Sequence, residues 1–258
     1  MPQINFNTKT YIIIFVVISA MLILYMTCSN NKDKIIRNTI TDNDSISTTY
    51  IKEKSIDSYD IPGFNNIETN VFMDITKNNI KFGTIEIELF DEDVPITAKN
   101  FRYLCSGQND KITYKNSIFH RIIRGHLIQG GDITNFDGTG GISAYGGDFK
   151  HENYNLKHNQ EGLLTMVNNG CGKSNSQFFI STRRGGCKEF DDKYVVFGIV
   201  VKGYDIIKKI EKDDVNDEYK PSSIYKISRC GLIGCVKHED TLMDDLNMND
   251  ASDIKISI

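Results

Sequence analysis

The segment Thr84-Ile85-Glu86-Ile87-Glu88-Leu89 alternates apolar and polar residues without a break, so Ile85, Ile87 and Leu89 share one face of a half-buried strand. Just after it, Pro95 suits a first helical position, and Ala98, Phe101, Leu104 and Cys105 form a stripe at helical spacing. Phe178-Phe179-Ile180 and Tyr194-Val195-Val196-Phe197 are short apolar runs bounded by Gly, Asn and Asp, the pattern of buried strands. A second helix is expected from Tyr204 to Lys212, with Ile206, Ile207 and Ile210 facing inward. Short strands, glycine-rich connections and only two helices imply a mainly-β sandwich or barrel with helical lids.

This pattern is confined to residues 71–236. A chain of 258 residues holds one good-sized domain with appendages, and the remainder divides accordingly. Residues 1–28 end in an uncharged run from Tyr11 to Cys28, which as a helix would span about 27 Å, enough to cross a bilayer. It reads as a signal anchor or a cleaved signal peptide. Thr27 with Ser29 matches a cleavage site poorly, so an uncleaved anchor and a membrane location are expected. Lys9 on one flank and Lys32, Lys34 and Arg37 on the other differ too little to set the orientation. Residues 29–70, rich in Asn, Asp, Ser, Thr and Lys, read as a flexible polar linker, and Asn43-Asp44-Ser45 within it is a glycosylation triplet by pattern. Residues 237–258 carry six acids against two lysines, an acidic tail whose excess equals the net charge of −4 of the whole chain.

That charge balance excludes the basic footprint of a nucleic-acid binder. Six cysteines, scattered and without paired CxxC spacing, exclude a small disulfide scaffold or zinc module. Gly172-Lys173-Ser174 fails as a phosphate loop, because Val167 stands where the motif needs a glycine. Gly138-Thr139-Gly140-Gly141 lacks the lysine and following helix of such a loop, and is read as a turn. The histidines show no metal-ligand spacing, so neither a metal nor a cofactor is expected.

Phe119-His120-Arg121-Ile122-Ile123, Gln129-Gly130-Gly131-Asp132, Gly138-Thr139-Gly140-Gly141, Tyr145-Gly146, Gln177-Phe178-Phe179-Ile180 and Val195-Val196-Phe197-Gly198 together carry more specific information. In order and spacing they resemble the cyclophilin family of peptidyl-prolyl isomerases, and Val94-Pro95-Ile96-Thr97-Ala98 and Asn100-Phe101-Arg102 fit the same pattern. The resemblance implies a closed eight-stranded antiparallel β-barrel capped by two α-helices that binds proline-containing segments of client proteins; nothing in the sequence warrants an oligomer, and a monomeric domain is expected. It implies that Arg121 is the catalytic residue. Gln129 and the backbone of Asn168 would hold the substrate peptide, with Gln177 beside them, while Leu127, Phe179, Phe190 and Tyr194 would line the proline pocket. Rotation about an X-Pro bond crosses a barrier of about 18–20 kcal/mol set by amide resonance. A guanidinium donating to the prolyl nitrogen stabilises the twisted state, where the lone pair is localised, so neither nucleophile nor metal is required.

Several positions depart from the family pattern. His126 stands where an apolar aromatic usually lines the pocket, Tyr194 replaces a common His, and Val167 and Asn169 add bulk at the groove floor. The loop from Arg183 to Lys188 is about two residues longer than usual, and Glu189 aligns with a Trp that packs on cyclosporin in many members, so weak cyclosporin binding is expected. Two readings follow: a membrane-tethered isomerase, or a proline-binding scaffold with little turnover.

Overall fold

The computed structural model describes residues 59–64 and 68–234. The run from Tyr11 to Cys28, most of the linker, Asn43 and the acidic tail lie outside these residues. Strands β1 (Val71–Lys77) and β2 (Ile80–Leu89) form a hairpin whose two turn residues, Asn78 and Asn79, both adopt the left-handed conformation at φ 50° and 66°. A two-residue turn of that hand matches the twist of the flanking strands, and asparagine tolerates it well. Helix α1 (Pro95–Ser106) follows, then β3 (Phe119–Ile123), β4 (Leu127–Gly130), β5 (Phe149–Lys150), β6 (Leu163–Met166), β7 (Lys173–Ser174) and β8 (Phe178–Ser181). After a single 3₁₀ turn at Lys188–Phe190 come β9 (Val196–Lys202), α2 (Tyr204–Ile210) and β10 (Tyr225–Leu232).

Eight strands form one antiparallel sheet in the order β10-β1-β2-β9-β6-β8-β4-β3, while β5 and β7 pair separately. The two sheet edges meet. Ile118, just before β3, bridges Lys226 of β10, and the Asn116 amide donates to the Ile227 carbonyl at 2.7 Å. The mainly-β architecture expected from the sequence is therefore a barrel rather than a sandwich.

Strand register sorts the side chains into rows. Ile122, Ile128, Ile180 and Leu164 are cross-strand partners along β3, β4, β8 and β6, and all are fully buried in the barrel interior. Because strand side chains alternate faces, their neighbours Arg121, Gln129, Phe179 and Thr165 form a parallel row on the outer face. That outer row positions the site described below.

The helices close the barrel. Phe101 of α1 packs its ring against Tyr114, Phe178 and Phe197 with centroids 4.9–5.2 Å apart, and the Tyr114 hydroxyl donates to the Ser176 carbonyl at 2.7 Å. Arg102 on the same helix is buried, donating to the Thr69 carbonyl at 3.0 Å and pairing with Asp91. At α2, Ile206 lies where a side chain at Gly83 would stand: a Cβ there would meet its Cδ1 at 2.4 Å, so the glycine lets the helix dock on β2.

The elements differ from the sequence expectation at their ends. β9 starts at Val196 rather than Tyr194, and α2 ends at Ile210 rather than Lys212. Residues before Val71 also pack on this unit. Ile61 and Phe64 are buried, Phe64 stacks edge-on against Tyr103 of α1, and Lys99 pairs with Asp60 at 3.1 Å. Among the described residues no helix is long and apolar enough to cross a membrane.

Candidate functional site

Arg121, Gln129 and Phe179 are direct cross-strand partners on β3, β4 and β8, so the register alone sets a cation, an amide and an apolar ring side by side. Gln177, two residues before Phe179, reaches the same face. The polar groups form a directional chain. The Arg121 guanidinium donates to Gln129 Oε1 at the long distance of 3.5 Å, and Gln129 Nε2 donates to Gln177 Oε1 at 3.0 Å. Gln177 Nε2 then donates to the carbonyls of Gly138 and Gly140 at 2.9 and 2.7 Å. Two backbone acceptors thus fix which end of the Gln177 amide is the donor, and that choice passes along the chain to leave an acceptor facing the guanidinium.

The loop carrying those carbonyls is itself held by a buried carboxylate. Asp132 accepts from the amides of Thr134, Asn135, Gly138 and Gly140 at 2.9–3.1 Å. Burial alone would raise its pKa, but the four amides outweigh it and hold the group well below the usual carboxylate range. Gly138-Thr139-Gly140-Gly141 is a turn, as read from sequence, with Gly138 and Gly141 at φ 96° and 114°. Asp132 ends the run Gln129-Gly130-Gly131-Asp132, yet its role depends on a loop geometry that spacing does not show.

Beside this chain the expected apolar residues converge. Phe179, Phe190 and Tyr194 form a three-ring cluster with centroids 5.1–5.7 Å apart. Leu127 is buried at the start of β4. His126, in the β3–β4 turn, stacks its ring on Phe190 at 4.9 Å and 13° and so replaces an apolar aromatic by shape. A second histidine, unassigned from sequence, completes the cluster. His158 is buried against Phe179 and Phe190, and both its amide and its Nδ1 contact Asp191 Oδ1 at 2.8 and 3.0 Å. Burial pushes its pKa down, so the ring is neutral at pH 7.

The groove floor is Val167-Asn168-Asn169. Val167 donates its amide to the Gln177 carbonyl at 2.9 Å. The Asn168 side chain bridges the Lys193 carbonyl and the Gly170 amide, at 2.9 Å each. The Asn169 side chain donates to Asp148 instead. On the opposite flank the Arg121 guanidinium lies over the Tyr219 ring at 5.6 Å. Tyr219 takes the left-handed φ of 64°, uncommon for an aromatic residue, and its carbonyl accepts the Ile122 amide at 2.8 Å. Nothing in the sequence pattern of Asn216 to Lys220 marks it as a neighbour of Arg121.

The family model for cyclophilin type peptidyl-prolyl cis-trans isomerase/CLD matches residues 72–232, the whole barrel with this outer face. The chain belongs to the cyclophilin family. Curated relatives of this cyclophilin include peptidyl-prolyl cis-trans isomerases of Rhizopus delemar, 45% identical over 172 residues, and of Caenorhabditis elegans, 44% identical over 185 residues. These alignments cover 64% and 69% of this chain but 50% and 59% of the relatives, so the cyclophilin spans little more than half of their length. A peptidyl-prolyl cis-trans isomerase of Encephalitozoon cuniculi is 45% identical over 166 residues, covering 64% of this chain and 95% of the relative.

The loop from Arg183 to Lys188 packs against the segment of His158, and at Gly186, with φ 83°, an added Cβ would meet the His158 carbonyl at 1.9 Å. The loop can close so tightly only with glycine there. Behind it Cys187 is buried, donating its amide to His158 at 2.8 Å, and burial pushes its thiol up to about 11. Glu189 stands at the rim, half exposed, 2.7 Å from Arg183 and 3.2 Å from His126 Nε2. The sulfur, the imidazole nitrogen and the carboxylate of Cys187, His126 and Glu189 all lie within 4.8 Å of one another.

Proposed function

We propose that this chain is a peptidyl-prolyl cis-trans isomerase, acting on X-Pro bonds in flexible or unfolded segments of client proteins as a monomer. The observation that carries the reading is the row Arg121, Gln129 and Phe179, with the guanidinium oriented by amides and set beside an aromatic cluster. In this reading the proline ring enters the apolar cluster, where burial removes it from water. Gln129 and the backbone of Asn168 hold the flanking peptide. Arg121 donates to the prolyl nitrogen as resonance is lost, an interaction stronger in the twisted state than in the planar one. About 5.5 kcal/mol of such differential stabilisation corresponds to roughly ten-thousand-fold acceleration.

The uncharged run from Tyr11 to Cys28 supports an attachment of this domain to a membrane through an uncleaved anchor. The polar wall at His126 and Glu189 favours a second reading, a proline-binding module with little turnover. A protease-coupled isomerisation assay on the full-length chain with a panel of X-Pro peptides separates the two. Turnover well above the uncatalysed rate supports the enzyme, whereas a folded chain that binds the peptides at the background rate supports the module.

A further inference from the structure

We propose that His126, Cys187 and Glu189 form a binding site for a thiophilic divalent cation, Zn²⁺ foremost, built into the wall of the proline pocket. The donor set is imidazole nitrogen, sulfur and carboxylate oxygen, the combination that zinc takes and that magnesium or calcium does not. A tetrahedral zinc with bonds of about 2.0–2.3 Å needs ligand atoms about 3.3–3.8 Å apart. His126 Nε2 and Glu189 Oε1 already stand at 3.2 Å, and all three ligand atoms lie within 4.8 Å of one another, so small side-chain rotations close the site.

A second observation points to a ligand. His126 Nε2 is buried as an atom and makes no well-formed hydrogen bond, although its ring is fixed by stacking on Phe190. An imidazole nitrogen held 3.2 Å from a carboxylate without a well-aligned hydrogen bond, with a sulfur within 4.8 Å, is a position that a cation would satisfy. The frame is also rigid before any ion arrives. The Thr182 amide donates to the His126 carbonyl at 2.9 Å, tying the start of the loop to the β3–β4 turn, and the Cys187 amide donates to the His158 carbonyl at 2.8 Å, tying its end to the segment before β6. Arg183, at 2.7 Å from Glu189 and half exposed, is the cation that would be displaced. Half-exposed Glu189 provides the entry path, and three protein ligands leave a fourth position open to water.

His126 lies 61 residues before Cys187 in the chain, which hides the site from any spacing motif. Occupancy would clamp the Arg183–Phe190 segment onto His126 and restrain Phe190, so Zn²⁺ would lower turnover. That consequence rests on the isomerase reading, whereas binding itself does not.

The test uses the metal-free full-length chain. Titration with Co²⁺ should give a thiolate-to-cobalt charge-transfer band saturating at one equivalent, and competition with a chromophoric chelator gives the Zn²⁺ affinity. Cys187→Ser should abolish the band, while His126→Phe and Glu189→Gln, which leave the buried thiol in place, should each weaken Zn²⁺ at least tenfold. Cys171→Ser should change neither. Absence of the band, or affinity unmoved by His126→Phe and Glu189→Gln, would overturn the site. Zn²⁺ that binds as described without lowering turnover would overturn the pocket clamp. A chain with no turnover with or without metal, but with an intact cobalt band, would instead count against the isomerase reading alone.

Discussion

Replacing Gln177 with glutamate tests the directional chain behind Arg121, because it keeps the shape of the side chain and removes only its donors. Gln177 is nearly buried and donates to two carbonyls, those of Gly138 and Gly140, at 2.9 and 2.7 Å. Each lost hydrogen bond costs about 1 kcal/mol net, and a buried acceptor left unpaired costs about 1–3 kcal/mol. A carboxylate facing both carbonyls therefore lowers stability by about 2–4 kcal/mol at pH 8, a fall of about 1–2 M in the urea midpoint for a slope near 2 kcal/mol/M. Burial and the facing carbonyls raise the pKa of the introduced carboxyl above its ordinary value of about 4.3. Its protonated form recovers one donor, so the favourable contribution is present at low pH and is lost as pH rises through the folded-state pKa. The Gln177→Glu penalty should accordingly be smaller at pH 5 than at pH 8. Urea unfolding of both chains at the two pH values is the assay. A midpoint at pH 8 within about 0.3 M of wild type, or a penalty independent of pH, would refute the reasoning.

Three further outcomes are expected. His120 and His158 are buried and His151 is half-buried, and burial lowers the pKa of each; the unfolded chain takes up protons first below about pH 6.5, so the urea midpoint should fall as pH drops from 7 towards 5, and a flat profile would contradict this. Tyr219→Gly relieves a left-handed aromatic residue but removes the ring under Arg121, so thermal unfolding should show no loss of stability while kcat/KM drops about two- to fivefold, the equivalent of a cation–π contact of about 0.5–1 kcal/mol. Calorimetric titration should show weak cyclosporin binding, since half-exposed Glu189 presents a charge where many cyclophilins present an indole; nanomolar affinity would contradict that.

The barrel was legible where one residue's environment is dictated by its neighbours in the chain. The alternation through Ile85, Ile87 and Leu89 and the stripe of Ala98, Phe101 and Leu104 both answer to a single core, and both elements form where the pattern places them. Closure was not legible from periodicity, because it rests on Ile118 meeting Lys226, a pairing between distant segments. The same division holds at the site. Arg121, Gln129 and Phe179 came from sequence blocks, and register then showed why they meet. His158 and Tyr219 carry no such signal, since each reaches the site through a loop whose path no local pattern encodes. The cluster of His126, Cys187 and Glu189 is a further case: the lone histidine signalled only a departure, and the tight turn at Gly186 brings the other two ligands to it.

The central claim is that Arg121 acts on the twisted state rather than on substrate binding. Two-dimensional exchange NMR on one X-Pro peptide measures interconversion on the protein and affinity in the same sample, for the full-length chain and for Arg121→Ala. The account predicts that interconversion on the protein slows by about 10²–10³, as when a single charge-stabilising donor is removed elsewhere, while affinity changes less than about tenfold. Interconversion that persists at the wild-type rate once the weakened binding is saturated would contradict it, and would make Arg121 a residue that only holds the peptide.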